Sequence, residues 1–193
     1  MFSLNVPLPP AVGRLADDLQ PKLSGFDRVR DRHTLVCKRF GVDDVTAGAE
    51  PAPGADAREG LDGDGAPPRS VALDRLRDRL RRPLAGTPPF AVEVTGVDAF
   101  DSPASGSGPV VYLAVESEGL VRLHRRLCAV FGVVDGIEGD AYVPHVTLAR
   151  GGGPASETID RLRRIGFDPI RWRVHALDLY DPAFREIAAT IEL

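Results

Sequence analysis

A histidine and a threonine two residues apart on one strand put a proton shuttle beside a hydroxyl, and residues 142–150, Tyr-Val-Pro-His-Val-Thr-Leu-Ala-Arg, hold such a pair. Val143, Val146, Leu148 and β-branched Thr147 make a strand-like run, opened by Pro144 and closed by Gly151-Gly152-Gly153. Side chains alternate along a strand, so His145 and Thr147 share one face while Val146 and Leu148 share the other. The apolar face can pack on helices. The polar face offers an imidazole that titrates near neutrality next to a hydrogen-bonding hydroxyl. The same pattern also fits a buried strand whose His and Thr satisfy each other, and one triplet does not separate the two readings.

A second run carries the same ingredients. Residues 28–41 read Arg-Val-Arg-Asp-Arg-His-Thr-Leu-Val-Cys-Lys-Arg-Phe-Gly. Two His/Thr strands in the two halves of a small chain resemble the 2H phosphoesterase superfamily. Its members include the proteins known as 2′-5′ RNA ligases or RNA 2′,3′-cyclic phosphodiesterases. His145-Val146-Thr147-Leu148 carries the family's H-x-T/S-x motif in full. His33-Thr34-Leu35 departs from it, because the threonine follows the histidine directly. The likeness in element order covers most of the chain outside residues 43–70.

The resemblance implies an α+β fold of two lobes related by a pseudo-twofold axis. Each lobe would hold an antiparallel sheet flanked by helices and donate one His/Thr strand to a central cleft. The catalytic set it implies is His33, Thr34, His145 and Thr147, with Arg32, Arg150 and Tyr142 as substrate contacts. Opening a 2′,3′-cyclic phosphate needs a base to activate water and an acid for the departing ribose oxygen. Two imidazoles of opposite protonation can supply both. The threonines, with nearby arginines or backbone N–H groups, would hold the phosphate oxygens. Run backwards with a 5′-hydroxyl in place of water, the same chemistry is an ATP-independent 2′-5′ ligation. The scheme calls for no cofactor and no metal. Its partners are RNA ends or a small cyclic nucleotide, and a monomer is expected.

The imperfect first motif leaves its register open, since a one-residue shift flips every side chain. Matching Thr34-Leu35 to Thr147-Leu148 puts Arg32 in the place of His145 and turns His33 toward the core. Matching histidine to histidine puts His33 in the cleft and exposes Leu35. A bulge could bring both His33 and Thr34 to the site. The reading adopted is His33 in the cleft.

Composition sets the outer limits. At 193 residues the chain suits one domain, here two joined lobes over residues 1–193, with a sizeable core. Its net charge of −4 gives no global basic field for nucleic acid. Arginine outnumbers lysine 22 to 2, which codon bias explains as well as phosphate binding does. Cys37 and Cys128 form neither a zinc pattern nor a disulfide framework and read as small buried hydrophobes. Nothing resembles a signal peptide or a membrane span, so the cytoplasm is the default.

The elements that must position the motifs follow from periodicity. Phe2–Val6 alternates as a strand, and Val12, Leu15, Leu19 and Leu23 mark a helix from Pro10. Residues 43–69 are rich in Asp, Glu, Gly, Ala and Pro and predict a disordered, acidic insert. A helix follows from Ser70, with Val71, Leu73, Leu76 and Leu80 inward and an Arg-rich outer face. Residues 90–100, with a possible bulge at Gly96, and 110–115 predict a hairpin. Gly119–Phe131 is a helix on which His124 reads as a surface residue; a fourth helix spans 155–165, with Ser156 as its cap. Residues 171–179 and 184–193 predict a last hairpin, with His175 as an edge histidine.

Two rivals to the enzyme remain at this level. One is a non-catalytic protein of the same fold that binds RNA ends or a nucleotide phosphate. The other is a structural adaptor that recruits partners through the acidic insert.

Overall fold

The computed structural model describes residues 2–41, 44 and 68–193. The first half holds β1 (Phe2–Val6), α1 (Pro10–Leu19) with a 3-10 turn (Gln20–Leu23), β2 (Arg28–Val29), β3 (Leu35–Phe40) and α2 (Arg69–Leu84). Then come β4 (Phe90–Phe100), β5 (Val110–Glu116), α3 (Glu118–Phe131), a 3-10 turn (Gly139–Ala141) and β6 (His145–Arg150). The chain ends with α4 (Ser156–Arg163), β7 (Ile170–Val174), β8 (Ala176–Asp181) and β9 (Glu186–Glu192). The acidic insert expected over 43–69 lies outside the described residues, apart from Asp44 and its last two positions.

Local chemistry accounts for most element ends. Pro10 opens α1, where its missing N–H is no loss, and Pro21 closes it into the 3-10 turn. Ser117 caps α3, its Oγ accepting from the Leu120 N–H at 3.1 Å. The bulge expected at Gly96 is present, as a register shift between Val94 and Gly96 against β5. In α2, Leu76 and Leu80 are buried and Leu73 packs on the core as expected, whereas Val71 is 38% exposed and Ala72 is buried in its place. Neither α2 nor α4 has a side-chain cap, so Ser156 is the first helical residue and not the cap.

All strands pair antiparallel into one sheet of order β7-β4-β5-β6-β3-β1-β8-β9, with β2 also on β6. Four strands lie on each side of the β3–β6 join, which makes the two expected lobes. The hairpin expected from 171–179 with 184–193 forms only in its second half. The long run breaks at His175: β7 pairs with β4, whereas β8 pairs with β1 and β9. Val174 and Ala176 are about 7 Å apart at most, yet they belong to opposite ends of the sheet. The sheet is therefore curled. Leu193 N–H donates to the His175 carbonyl at 2.8 Å and holds the crossing point.

One contiguous core fills the helix-covered face, from Leu4, Leu35 and Cys37 to Leu113, Val146 and Leu148. Helix α3 packs on β3 and β4, and α4 packs on β4. The face left without helices is where the motif strands place their remaining side chains. Among the described residues, no helix is long and apolar enough to cross a membrane.

Candidate functional site

The β3–β6 join sets the phase of both motif strands. Leu35 pairs with Val146, and both are fully buried. Alternation then turns Thr34, Val36, His145 and Thr147 to the other side, where they line a cavity of about 550 Å³. Each strand carries a bulge beyond this point. β1 pairs Leu4 with Lys38 and Asn5 with Val36, skipping Cys37; β5 pairs Val111 with Ala149 and Tyr112 with Thr147, skipping Leu148. Each bulge leaves two consecutive buried residues, Cys37-Lys38 and Leu148-Ala149. Each also returns an arginine to the cavity side, so Arg39 and Arg150 line it together with His145.

His145 is held by its backbone-proximal nitrogen: Nδ1 lies 2.7 Å from the Val143 carbonyl oxygen. Its ring meets Phe100 and Tyr112 edge-on at 5.2 and 5.3 Å. Burial pushes its pKa below the ordinary 6.5, and the charges of Arg39 and Arg150 add to that against the pull of the Val143 carbonyl. A neutral ring that donates from Nδ1 keeps the Nε2 lone pair for a ligand. Arg150 Nε is buried without a partner among the described residues, and burial with Arg30 and Arg28 lowers its pKa. A buried guanidinium nitrogen that lacks an acceptor fits an anion site. Gly106, at φ 74°, leaves room for it: a Cβ there would sit 2.5 Å from Arg150 Nη1.

Tyr142 lines the cavity, but its hydroxyl is spent on the Val36 carbonyl at 2.8 Å and burial raises its pKa. It stands in the cavity as a wall, with its hydroxyl engaged.

The position of the first motif also differs from the register adopted above. Five residues, 30–34, face only two, 147–148, between the β2 and β3 pairings with β6. The excess loops out, and this bulge brings Arg32 and Thr34 to a second cavity of about 340 Å³. Thr34 and Thr147 are shared by both cavities. His33 lines neither. It is half-buried, its pKa lowered by burial and by Arg30 while Asp17 of α1 and Asp31 pull it up. The reason is core packing: Leu35 takes the slot beside Val146, so its neighbours Thr34 and Val36 turn to the cleft and His33 turns away from it. His33 in the cleft would have exposed Leu35.

A further histidine departs from its expected surface placement. His124 is fully buried, with Nδ1 2.7 Å from the Cys37 carbonyl and Nε2 accepting from the Gly139 N–H at 2.9 Å. It stacks on Tyr142 at 3.7 Å. The inward row of α3 is Leu120, Leu123, His124, Leu127 and Phe131, so the helical period contained this placement. Beside it, Lys38 Nζ meets Glu138 Oε2 at 2.6 Å in a buried ion pair. Glu138 also accepts from the Arg39 and Val134 N–H groups. These contacts fasten the loop between α3 and β6, which walls the cavity, onto β3. Among the described residues no three His, Cys, Asp or Glu side chains converge as a metal site.

Among solved structures, that of TT0787 from Thermus thermophilus superposes with a TM-score of 0.59 at 21% identity. The match covers 100% of this chain and 97% of that one, a likeness of fold. It bears out the two-lobed α+β architecture of the 2H phosphoesterase type. No curated protein matches the chain. Residues 61–183 match the profile of the 2′-5′ RNA ligase superfamily, a span that includes His145 and Thr147 and leaves out the first motif. With most of its length matched, from α2 through β8, the chain belongs to the 2′-5′ RNA ligase superfamily.

Proposed function

We propose that the protein opens 2′,3′-cyclic phosphates at RNA or nucleotide ends, with one imidazole where the two-motif scheme has two. The observation that carries this reading is His145, pinned through Nδ1 beside a threonine-floored, arginine-lined cavity. A phosphate resting on Thr34 and Thr147 has His145 on one side and Arg32 on the other. His145 Nε2 takes a proton from water, and the oxygen adds to phosphorus as the ribose P–O bond breaks. Arg39, Arg150 and the threonines neutralise the phosphoryl oxygens. Arg32 donates hydrogen bonds to the departing ribose oxygen. A guanidinium does not give up its proton, so that oxygen is reprotonated by solvent. In the ligase direction a 5′-hydroxyl replaces water at His145.

The test is hydrolysis of a mononucleoside and an oligonucleotide 2′,3′-cyclic phosphate, with and without EDTA. Turnover that survives the chelator supports the scheme. Turnover that vanishes with EDTA and returns with a divalent ion overturns it. Arg32 in the place of a motif histidine favours a second reading, binding of phosphate ends without turnover; tight binding of the cyclic phosphate with no product would establish it.

The register makes a separate prediction. Arg32→Ala removes a charge-assisted contact and should lower kcat/KM by about 10–100-fold. His33→Ala should leave kcat/KM within about twofold and act on the melting temperature instead. The opposite ranking in steady-state assays would restore His33 to the site.

A further inference from the structure

The second cavity is lined by three arginines, Arg30, Arg32 and Arg185, and one aspartate, Asp31, in a protein of net charge −4. Among the described residues none of the three arginines is in a salt bridge, although most other ion pairs of the protein involve arginine. One carboxylate offsets only part of three positive charges, so the cavity keeps a positive excess that an anion relieves. Arg28 and Arg30 also reach Arg150 of the first cavity by their charge, so the basic field is continuous between the two cavities.

Arg32 is held in place here. Its Nη1 donates to the Arg185 carbonyl oxygen at 2.6 Å, and its Cζ stands 4.4 Å from the centre of the Tyr180 ring. These contacts occupy one of five N–H donors and one face of the guanidinium. Arg185 has φ 56°, a left-handed conformation that disfavours any residue with a side chain. The β8–β9 turn thus accepts local strain at a residue that lines the cavity and whose carbonyl orients Arg32.

We propose that this cavity binds a second phosphate of the same strand, which makes the substrate an oligonucleotide with a cyclic phosphate end and not a mononucleotide. The inference rests on reading the His145 cavity as the phosphoesterase site. The two cavities share Thr34 and Thr147, so a strand whose terminal phosphate lies on the threonines continues into one of them. The ribose oxygen departs on the Arg32 side, so the strand that carries it continues into the smaller cavity, which is basic and suits a backbone phosphate, while the larger admits the attacking water or 5′-hydroxyl beside His145. Arg30 and Arg185 are then specificity-determining residues.

The experiment compares a mononucleoside 2′,3′-cyclic phosphate with a trinucleotide ending in one, by kcat/KM and by competition against a fluorescent trinucleotide in anisotropy. The variants are Arg185→Gly and Arg30→Gln. Glycine at the turn keeps the left-handed conformation and the carbonyl that holds Arg32. The Arg30→Gln change leaves the backbone bond from the Arg30 N–H to the Leu148 carbonyl, 2.8 Å in the parent, available to the variant. The parent should prefer the trinucleotide by about 10-fold or more, and each variant should cut that ratio by about 5–10-fold. Each should also reduce the slope of log affinity against log salt by about 0.7, as loss of one single-strand phosphate contact does. Equal kcat/KM for the two probes in the parent overturns the subsite and leaves the phosphoesterase reading standing. If neither probe turns over, that reading fails, and anisotropy still decides the subsite. A trinucleotide preference lost in the variants supports it, and equal affinities overturn it.

Discussion

His145→Ala should lower kcat/KM on a 2′,3′-cyclic phosphate by about 10²–10⁴-fold, the usual contribution of a positioned general base. The melting temperature should hardly move at neutral pH, because the half-buried ring makes one hydrogen bond, to Val143, and carries no ion pair. The pH profile adds a check that a structural role would not reproduce. Burial and two arginines hold the imidazole neutral, so the acid limb of kcat/KM in the parent should fall below pH 6.5. Arg39→Gln, which removes one of those charges, should shift that limb upward. A variant lacking His145 with unchanged turnover would mean that the base is elsewhere. The same depressed pKa has a sign for stability. Between pH 6.5 and the lower folded values, the unfolded chain binds protons that His33, His124 and His145 refuse in the fold. Stability is therefore fully present above pH 6.5 and falls as the pH drops through that window.

Glu138→Ala should be the most destabilising single change near the site. It strands the Lys38 ammonium, whose side chain is 2% exposed, with the Arg39 carbonyl as its one remaining acceptor. Removing one partner of a buried ion pair costs about 3–5 kcal/mol, or about 6–20 °C in melting temperature for a chain of this size. It also frees the Arg39 and Val134 N–H groups that the carboxylate satisfies. Lys38→Met combined with Glu138→Gln should recover much of the loss, since Gln keeps an acceptor for those groups and no charge is left buried. Thermal melts followed by circular dichroism measure both. If Glu138→Ala melts within a degree or two of the parent, the pair does not anchor the loop. The loop also walls the larger cavity, so the single variant should raise KM more than it lowers kcat.

Local patterns in the chain were enough for much of this architecture. The alternation of Phe2–Val6 and the 3.6-residue repeats of α1 and α3 each describe one element's own face, and they hold whatever that element packs against. Gly96 marked a bulge because a strand interior tolerates glycine poorly. The H-x-T triplet at 145–147 placed His145 and Thr147 on one face for the same reason. Where the reading failed, the deciding partner was distant in sequence. Whether Leu35 or Thr34 is core depends on Val146, more than a hundred residues away, and a single register step there exchanged His33 for Arg32. His124 looked exposed among arginines until the Cys37 carbonyl and the Gly139 N–H were brought to it. The 171–179 run reads as one strand, yet the curl of the sheet deals its halves to opposite ends. Arg30, Arg32 and Arg185 form one cavity only because the β8–β9 turn folds back over the bulge before β3. Periodicity is a property of neighbours along the chain; register, sheet order and charge clusters belong to neighbours in space.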